Sequence, residues 1–120
     1  MPAINFEERF AHKVESGRKR QTIRRPRKCP IKEGHTLYLY TGQRTKRCRL
    51  LVTATCKQTR PIAILKESVQ VVMRDILHIF VSHNWLKAFA QRDGFISWPE
   101  MKEFFEKKYG LPFDGDLIEW

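Results

Sequence analysis

The sequence predicts an α+β domain in which a mostly antiparallel sheet, or a small β-barrel, is interrupted by peripheral helices. Two observations support this prediction. The 120 residues, 42% of them apolar and 12% aromatic, match the size of one domain that buries its own core. Segments rich in β-branched residues are separated irregularly by helix signals, without the regular strand–helix alternation of parallel folds. We therefore treat residues 1 to 120 as a single domain.

The first predicted element is a short amphipathic helix. Phe6, Phe10 and Val14 recur every four residues, and Gly17 follows where a helix ends in a left-handed residue. A strand is predicted at residues 22 to 25. It must end before Pro26, because proline cannot donate a hydrogen bond to a sheet.

Three further regions have the composition of strands. HTLYLYTG lies between Gly34 and Gly42, and CRLLVTATC is long enough to be a central or strongly curved strand. Periodicity does not separate strand from helix in residues 61 to 83, where we favour strands. The polar stretch QRTKR is predicted to be a hairpin-like tip. Tyr38 and Tyr40 share a strand face, and we favour their burial over a role in stacking on bases.

Two helices and a final strand complete the prediction. Asn84 can cap the helix WLKAFAQRD, which ends at Gly94. Ser97 followed by Glu100 forms a capping box, with Pro99 in the first turn of the helix SWPEMKEFFEKKYG. The tail LPFDGDLIEW is the last predicted strand. Large apolar side chains of this region are assigned to the core: Trp85, Trp98, Met101, Phe104, Phe105 and Trp120.

Positive charge is concentrated in one half of the chain. Residues 1 to 60 carry 16 Lys or Arg against 4 acidic residues, net +12, and residues 61 to 120 carry 7 against 9, net −2, which together give the formal charge of +10. Basic surfaces attract polyanions, because neutralising phosphates releases condensed counterions. The sequence therefore predicts a basic surface from Gly17 to Lys28 that binds RNA or a nucleotide-like ligand.

Several classes of protein are disfavoured by the sequence. No apolar run approaches the roughly 20 residues that span a bilayer, and MPAINFEERF lacks an export signal, so we expect a cytoplasmic protein that does not associate with membranes. The three cysteines are expected to be reduced thiols, and no cofactor is expected. The spacing of the four histidines does not suggest a metal site. A monomer is favoured. The cysteines are Cys29, Cys48 and Cys56, and the histidines are His12, His35, His78 and His83.

Four segments in order resemble the ASCH domain family, whose fold is similar to the PUA domains of RNA-modifying proteins. They are the helix ending in Gly17, the core GRKRQTIR, the segment AQRDGF from Ala90 to Phe95, and the closing PFDGDLIEW. Together with HTLYLYTG they cover nearly the whole chain. The resemblance implies a PUA-like β-barrel with peripheral helices and a cleft that meets RNA or nucleotides.

One branch of this family consists of small amidohydrolases that remove the acetyl group from acetylated cytidine with a lysine, a threonine and a glutamate. GRK and TIR match that branch, so the resemblance implies Lys19 as base and Thr22 as nucleophile, with Asp93 as the candidate acid in place of the glutamate. A lysine acts as a base only if its pKa falls toward neutrality, which burial and neighbouring arginines favour. Arg24 can stabilise an oxyanion or grip a phosphate.

Three functions follow as hypotheses. The first is an RNA-binding module, and the second is an amidohydrolase that needs no metal. The third is a small ribonuclease, which is also found within the family. The residues predicted to contact nucleic acid are Arg18, Lys19, Arg20, Arg24, Arg25, Arg44, Lys46 and Arg47.

Overall fold

The computed structural model describes residues 2–120 and confirms an α+β fold. Within these residues eight strands and three helices follow one another along the chain. In order they are β1 (Ala3–Phe6), α1 (Glu8–Glu15), β2 (Gln21–Arg24), β3 (Thr36–Thr41), β4 (Arg49–Thr55), β5 (Gln58–Ile64), β6 (Val69–Met73), β7 (Ile76–Phe80), α2 (His83–Arg92), α3 (Trp98–Tyr109) and β8 (Phe113–Glu119).

The strands pair into two sheets. A three-stranded sheet has the order β1-β3-β4, with β1 parallel to β3 and β3 antiparallel to β4. A five-stranded antiparallel sheet has the order β2-β8-β5-β6-β7. The mostly antiparallel pairing matches the sequence prediction. Strand pairing within residues 2–120 leaves the two sheets separate.

Most strand positions match their predictions. Strands β2, β3, β4 and β8 lie where composition placed them, and the ambiguous residues 61 to 83 contain strands β5, β6 and β7, as favoured. CRLLVTATC was predicted to be a central or a strongly curved strand, and the first alternative is wrong, because β4 is the edge of its sheet. β3 occupies the middle position, since β1 pairs with its other side.

Strand β1 was not predicted, and it contains Phe6, which the sequence assigned to the first helix. Phe6 pairs with Thr41 as the last residue of β1, and α1 begins two residues later at Glu8. The side chains of Phe6, Phe10 and Val14 are all buried. Spacing therefore identified the buried positions correctly but could not show that the backbone changes from strand to helix between the first two.

The helix ends follow local capping chemistry, with one correction. Gly17 has a left-handed φ of +81° after α1, as predicted. Helix α3 begins at its predicted cap, where Ser97 Oγ accepts a hydrogen bond from Glu100 N at 3.3 Å. The predicted cap of α2 at Asn84 is wrong. Ser82 caps this helix, accepting from Trp85 N at 3.5 Å, and Asn84 lies within the first turn.

The core lies between the sheets and the helices. The predicted burial of Tyr38 and Tyr40 is wrong. Along β3 the side chains of Leu37 and Leu39 are fully buried, so Tyr38 and Tyr40 occupy the opposite face and are only half-buried. Trp120 is buried, and the half-buried Trp85 packs against the core. None of the helices formed by residues 2–120 has the length and apolar content needed to cross a bilayer.

Candidate functional site

A small pocket opens where β1, β2 and α3 meet the turn between α2 and α3. Its volume is about 170 Å³, and Lys19, Thr22, Arg24 and Asp93 all contribute to its lining. Typical sites for drug-sized ligands measure roughly 300 to 1,000 Å³. The pocket therefore suits one small chemical group, with the rest of a larger ligand extending out of its mouth. The structure brings together all three residues of the predicted catalytic set, although Asp93 is more than seventy positions from Lys19 in the sequence.

Lys19 and Asp93 form a buried ion pair at the back of the pocket. Lys19 belongs to the connection between α1 and β2, and Asp93 is the residue that ends α2. Lys19 Nζ donates a hydrogen bond to the Asp93 backbone oxygen and lies 3.4 Å from its Oδ1 atom. The two residues are only 3% and 2% exposed. Oδ1 has no hydrogen-bond donor among residues 2–120, so the neighbouring ammonium is its main electrostatic partner.

Burial changes the protonation of both groups. It lowers the pKa of Lys19 from 10.5 to about 8, because the charged form loses its hydration, and the Asp93 carboxylate only partly opposes this effect. The charges of Arg24 and Lys13 lower the Lys19 pKa further. Burial raises the pKa of Asp93, against the opposing charge of Lys19. Lys19 is therefore neutral in a usable fraction of molecules near neutral pH, which is what a general base requires.

Gly94 gives the Lys19 side chain room to reach this position. Its φ of +93° is unfavourable for residues with a side chain, and a Cβ atom there would lie 3.0 Å from Lys19 Cδ and 3.1 Å from Phe10 Cδ1. The same backbone is held from outside by Lys13, whose Nζ donates to the Gly94 oxygen at 2.6 Å. The glycine predicted as a helix terminator thus also shapes the pocket.

Thr22 and Arg24 extend from the same face of β2, as the period of a strand predicts. Arg24 Nε donates to Thr22 Oγ1 at 3.0 Å, and a terminal nitrogen of Arg24 donates to the Asn5 backbone oxygen at 2.8 Å. The guanidinium carbon lies 4.9 Å from the centre of the Phe6 ring. Burial lowers the pKa of Arg24, but a guanidinium stays protonated in proteins. The hydrogen bonds of Thr22 therefore involve Arg24, while those of Lys19 involve Asp93.

The chain between Lys19 and Thr22 does not form one regular strand. Strand β2 begins only at Gln21, after a turn, and this lets both side chains face the same pocket. A regular strand would direct residues 19 and 22 to opposite faces. The turn lies at residues 16 and 17, ahead of Lys19, and the irregular backbone before Gln21 frees Lys19 from the alternation of the strand.

The predicted nucleic-acid contacts are distributed over several surfaces. Lys19 and Arg24 line the pocket, whereas the exposed Arg18 and Arg20 line a separate shallow cleft with Arg92. The Arg25 guanidinium carbon lies 4.8 Å from the centre of the Tyr109 ring, which places Arg25 at the pocket rim. The segment 17 to 28 therefore presents its cations on both sides of β2.

The second predicted basic segment is the exposed loop between β3 and β4. Arg44, Lys46 and Arg47 are exposed on this loop, as predicted. The loop begins beside the pocket, because Gln43 N donates at 2.9 Å to the side chain of Asn5, which is a lining residue. The loop cations therefore lie on a segment connected to the pocket rim.

Several residues that complete the site were not predicted from the sequence. Asn5 and Phe10 come from β1 and α1, and Phe104, Lys108 and Tyr109 come from α3. The aromatic stripe of α3 was assigned to the core, yet Phe104 is only partly buried and faces the pocket. No sequence signal identifies these residues as lining a pocket, because their proximity to Lys19 depends on tertiary packing.

The chemistry of the site must be inferred from its residues. Among residues 2–120 no cluster of three or more His, Cys, Asp or Glu side chains has the arrangement of a metal site. No protein-family model, curated protein or solved structure matches the chain.

Proposed function

We propose that the chain is a metal-independent amidohydrolase that removes the acetyl group from an acetylated cytidine. The observation that carries this proposal is the placement of Lys19, Thr22, Arg24 and Asp93 in one small pocket. The proposal includes membership of the ASCH family, with the two sheets forming a PUA-like, opened β-barrel. The order of the GRKRQTIR, AQRDGF and PFDGDLIEW segments supports that membership.

The first chemical step forms an ester on Thr22. Neutral Lys19 accepts the hydroxyl proton while Thr22 Oγ1 bonds to the acetyl carbonyl carbon. This step needs a contact between Lys19 and Thr22 that forms when substrate is seated, since catalytic hydrogen bonds commonly tighten on binding. The proton passes from Lys19 through Asp93 to the departing amine as the carbon–nitrogen bond breaks. Acetyl-Thr22 and the free amine of cytidine result.

The second step releases acetate. Neutral Lys19 accepts a proton from water, whose oxygen attacks the ester carbonyl carbon, and the Thr22 oxygen leaves and regains a proton. In both steps negative charge develops on the carbonyl oxygen. Once Lys19 has accepted the proton, the pocket lining carries three cations, Lys19, Arg24 and Lys108, against the carboxylates of Glu7 and Asp93, which leaves an excess of positive charge. That excess stabilises the oxyanion, and Arg24 is its closest donor to Thr22.

The walls of the pocket suit a planar, uncharged group. The rings of Phe10, Phe95 and Phe104 lie among the lining residues, and aromatic faces stack well on bases. The volume of about 170 Å³ fits an acetylated base better than a whole nucleotide. A ribose, or the neighbouring residues of an RNA, would then lie at the mouth near Lys108 and Tyr109.

RNA binding is a second proposed function, supported by the charge asymmetry of the chain. Net charge of +12 in the first half, with Arg18, Arg20 and Arg25 exposed near the pocket strand, favours contact with phosphates. Binding of a short single-stranded RNA should weaken steeply with salt. An affinity that stays flat between low and high ionic strength would exclude this function.

Acetate release tests the enzymatic proposal. Purified chain is incubated with acetylated cytidine and EDTA, and acetate is followed by proton NMR. We expect release by the wild type, loss of release in Thr22→Ala, and unchanged release in the surface control Lys66→Gln. Absence of release from the wild type, or full activity in Thr22→Ala, would overturn the proposal. Cleavage of RNA in the presence of EDTA would instead favour a ribonuclease.

A further inference from the structure

Strand β7 is an exposed apolar edge of the five-stranded sheet. It is the terminal strand of the order β2-β8-β5-β6-β7, and within residues 2–120 it pairs only with β6. Ile76, Leu77 and Ile79 in this strand, with Val81 just after it, are between 53% and 67% exposed. These four account for most of the large exposed apolar side chains of the described chain. Large apolar side chains that are exposed together along one strand edge indicate an interaction site.

The β7 edge lacks the features that protect sheet edges from pairing. Natural edges carry charges, proline or bulges, yet ILHIFV contains no Lys, Arg, Asp, Glu, Pro or Gly. The edge strand β4 of the other sheet differs, since its first residue, Arg49, is charged and paired with Glu15 at 2.7 Å. At the opposite edge of the five-stranded sheet from β7, the residues of β2 are largely buried. The β7 edge is therefore the open, uncharged one of this sheet.

The two faces of β7 have different surroundings. Phe80 faces the core side, where its ring stacks on Trp85 with centroids 3.9 Å apart. Leu77 and Ile79 alternate with it and point to the outer face, and Val72 of β6 pairs with Leu77. The outer face therefore presents aliphatic side chains directly beside the free backbone edge.

We infer that β7 is the interface of a symmetric homodimer, formed by antiparallel pairing with β7 of a second copy. A strand paired with its own copy about a two-fold axis satisfies both free edges and closes the assembly. Centred on His78, the pairing places Leu77 of one copy opposite Ile79 of the other on the outer face. The five-stranded sheets of the two copies are thereby joined edge to edge, and aliphatic side chains from both copies meet.

Charge and area favour a second copy as the occupant. The basic residues are concentrated in the first half of the chain, while residues 69 to 82 carry only Arg74 and Asp75, which cancel. Repulsion between two chains of net charge +10 is therefore weakest at this edge. Apolar patches on monomers commonly reach about 300 to 600 Å², and two patches of that size would bury a total close to the lower limit of about 1,000 Å² for specific interfaces. We expect a weak dimer, with a dissociation constant in the micromolar range or above.

Sedimentation equilibrium of the full chain over a wide concentration range tests the inference. We expect the mass to rise from 14.3 kDa toward twice that value as concentration increases. Ile79→Lys should raise the dissociation constant about tenfold or more, since burying an unpaired charge costs more than 1.4 kcal/mol. The control Ile96→Lys adds the same charge at a residue that is 72% exposed and outside the patch, and should leave dimerisation unchanged.

Amide hydrogen exchange of the wild-type chain provides a second test of the dimer that requires no substitution. Amides of residues 76 to 80 should exchange more slowly at high protein concentration than at low concentration, while those of the β4 edge should not change. A mass of 14.3 kDa at every concentration, or a dimer that Ile79→Lys leaves intact, would overturn the inference. Concentration-independent exchange in β7 would do the same.

Discussion

Replacing Asp93 by asparagine should lower the pKa of Lys19. The variant removes the ion pair of Lys19 and leaves the lysine free to act as a base. The substitution removes a carboxylate whose Oδ1 lies 3.4 Å from Lys19 Nζ but keeps the backbone oxygen that accepts the lysine hydrogen bond. The lysine should therefore stay in place. Since the Asp93 charge raises the Lys19 pKa, its removal must lower that pKa below the present value of about 8.

Coulomb's law sets the scale of this effect. Unit charges 3.4 Å apart at an effective dielectric constant of about 20 interact by roughly 5 kcal/mol, and one pKa unit corresponds to about 1.4 kcal/mol. Relaxation of the site reduces this limit, and opposite charges at such distances commonly change a pKa by about 1 to 3 units. The Lys19 pKa should therefore fall to between about 5 and 7. The neutral fraction at pH 7 should rise from about a tenth to a half or more.

NMR titration of labelled lysine side chains measures this pKa without relying on activity. The Lys19 signal is assigned by its loss in Lys19→Met, and circular dichroism confirms that each variant is folded. Lys13→Gln is the matched control, because the Lys13 charge lowers the Lys19 pKa and its removal should raise it. A Lys19 pKa that is unchanged or raised in Asp93→Asn would refute the electrostatic account of the pocket.

Three further predictions concern the shape, charge and helices of the protein. Gly94→Ala should lower the free energy of unfolding by roughly 1 to 3 kcal/mol in urea denaturation, and by more than Gly110→Ala, because both glycines have positive φ but only Gly94 is crowded by Lys19 and Phe10. Equal losses would contradict this. The double variant Arg18→Gln/Arg20→Gln should reduce the slope of log affinity for single-stranded RNA against log salt by about 1.4, and an unchanged slope would remove both residues from the interface. Ser97→Ala should cost about 1 kcal/mol of stability through loss of the α3 cap, and an unchanged urea midpoint would show that the cap contributes nothing.

The sequence was informative at most positions where local chemistry determines structure, although the α2 cap is Ser82 and not the predicted Asn84. Ser97, Gly17 and Gly94 marked helix ends correctly because caps and left-handed residues involve only neighbouring backbone. Strand β1 escaped prediction, since four residues are too few to show periodicity and its pairing partner β3 lies more than thirty residues away. The position of β4 at a sheet edge likewise depends on long-range pairing.

The residues of the candidate site show the same difference between features that the sequence predicts and features that depend on long-range packing. Lys19, Thr22 and Asp93 were found through their motifs, and the structure places all three in one pocket. The lysine–aspartate ion pair could not be predicted, because it depends on how the end of α2 packs against the residues that precede β2. The hydrogen bond from Arg24 to Thr22 is local, since both residues lie on one face of β2. The half-buried Tyr38 and Tyr40 show the same limit, since alternation along β3 identifies two faces without showing which one meets the core.

The covalent state of Thr22 during turnover tests the central claim most directly. Chain reacting with excess acetylated cytidine is quenched in acid, digested and examined by mass spectrometry, and a parallel reaction contains hydroxylamine. We predict one acetyl group on the peptide that contains Thr22, and diversion of acetate to acetohydroxamate by hydroxylamine. Release of acetate with an unmodified Thr22 peptide and no hydroxamate would contradict threonine as the nucleophile.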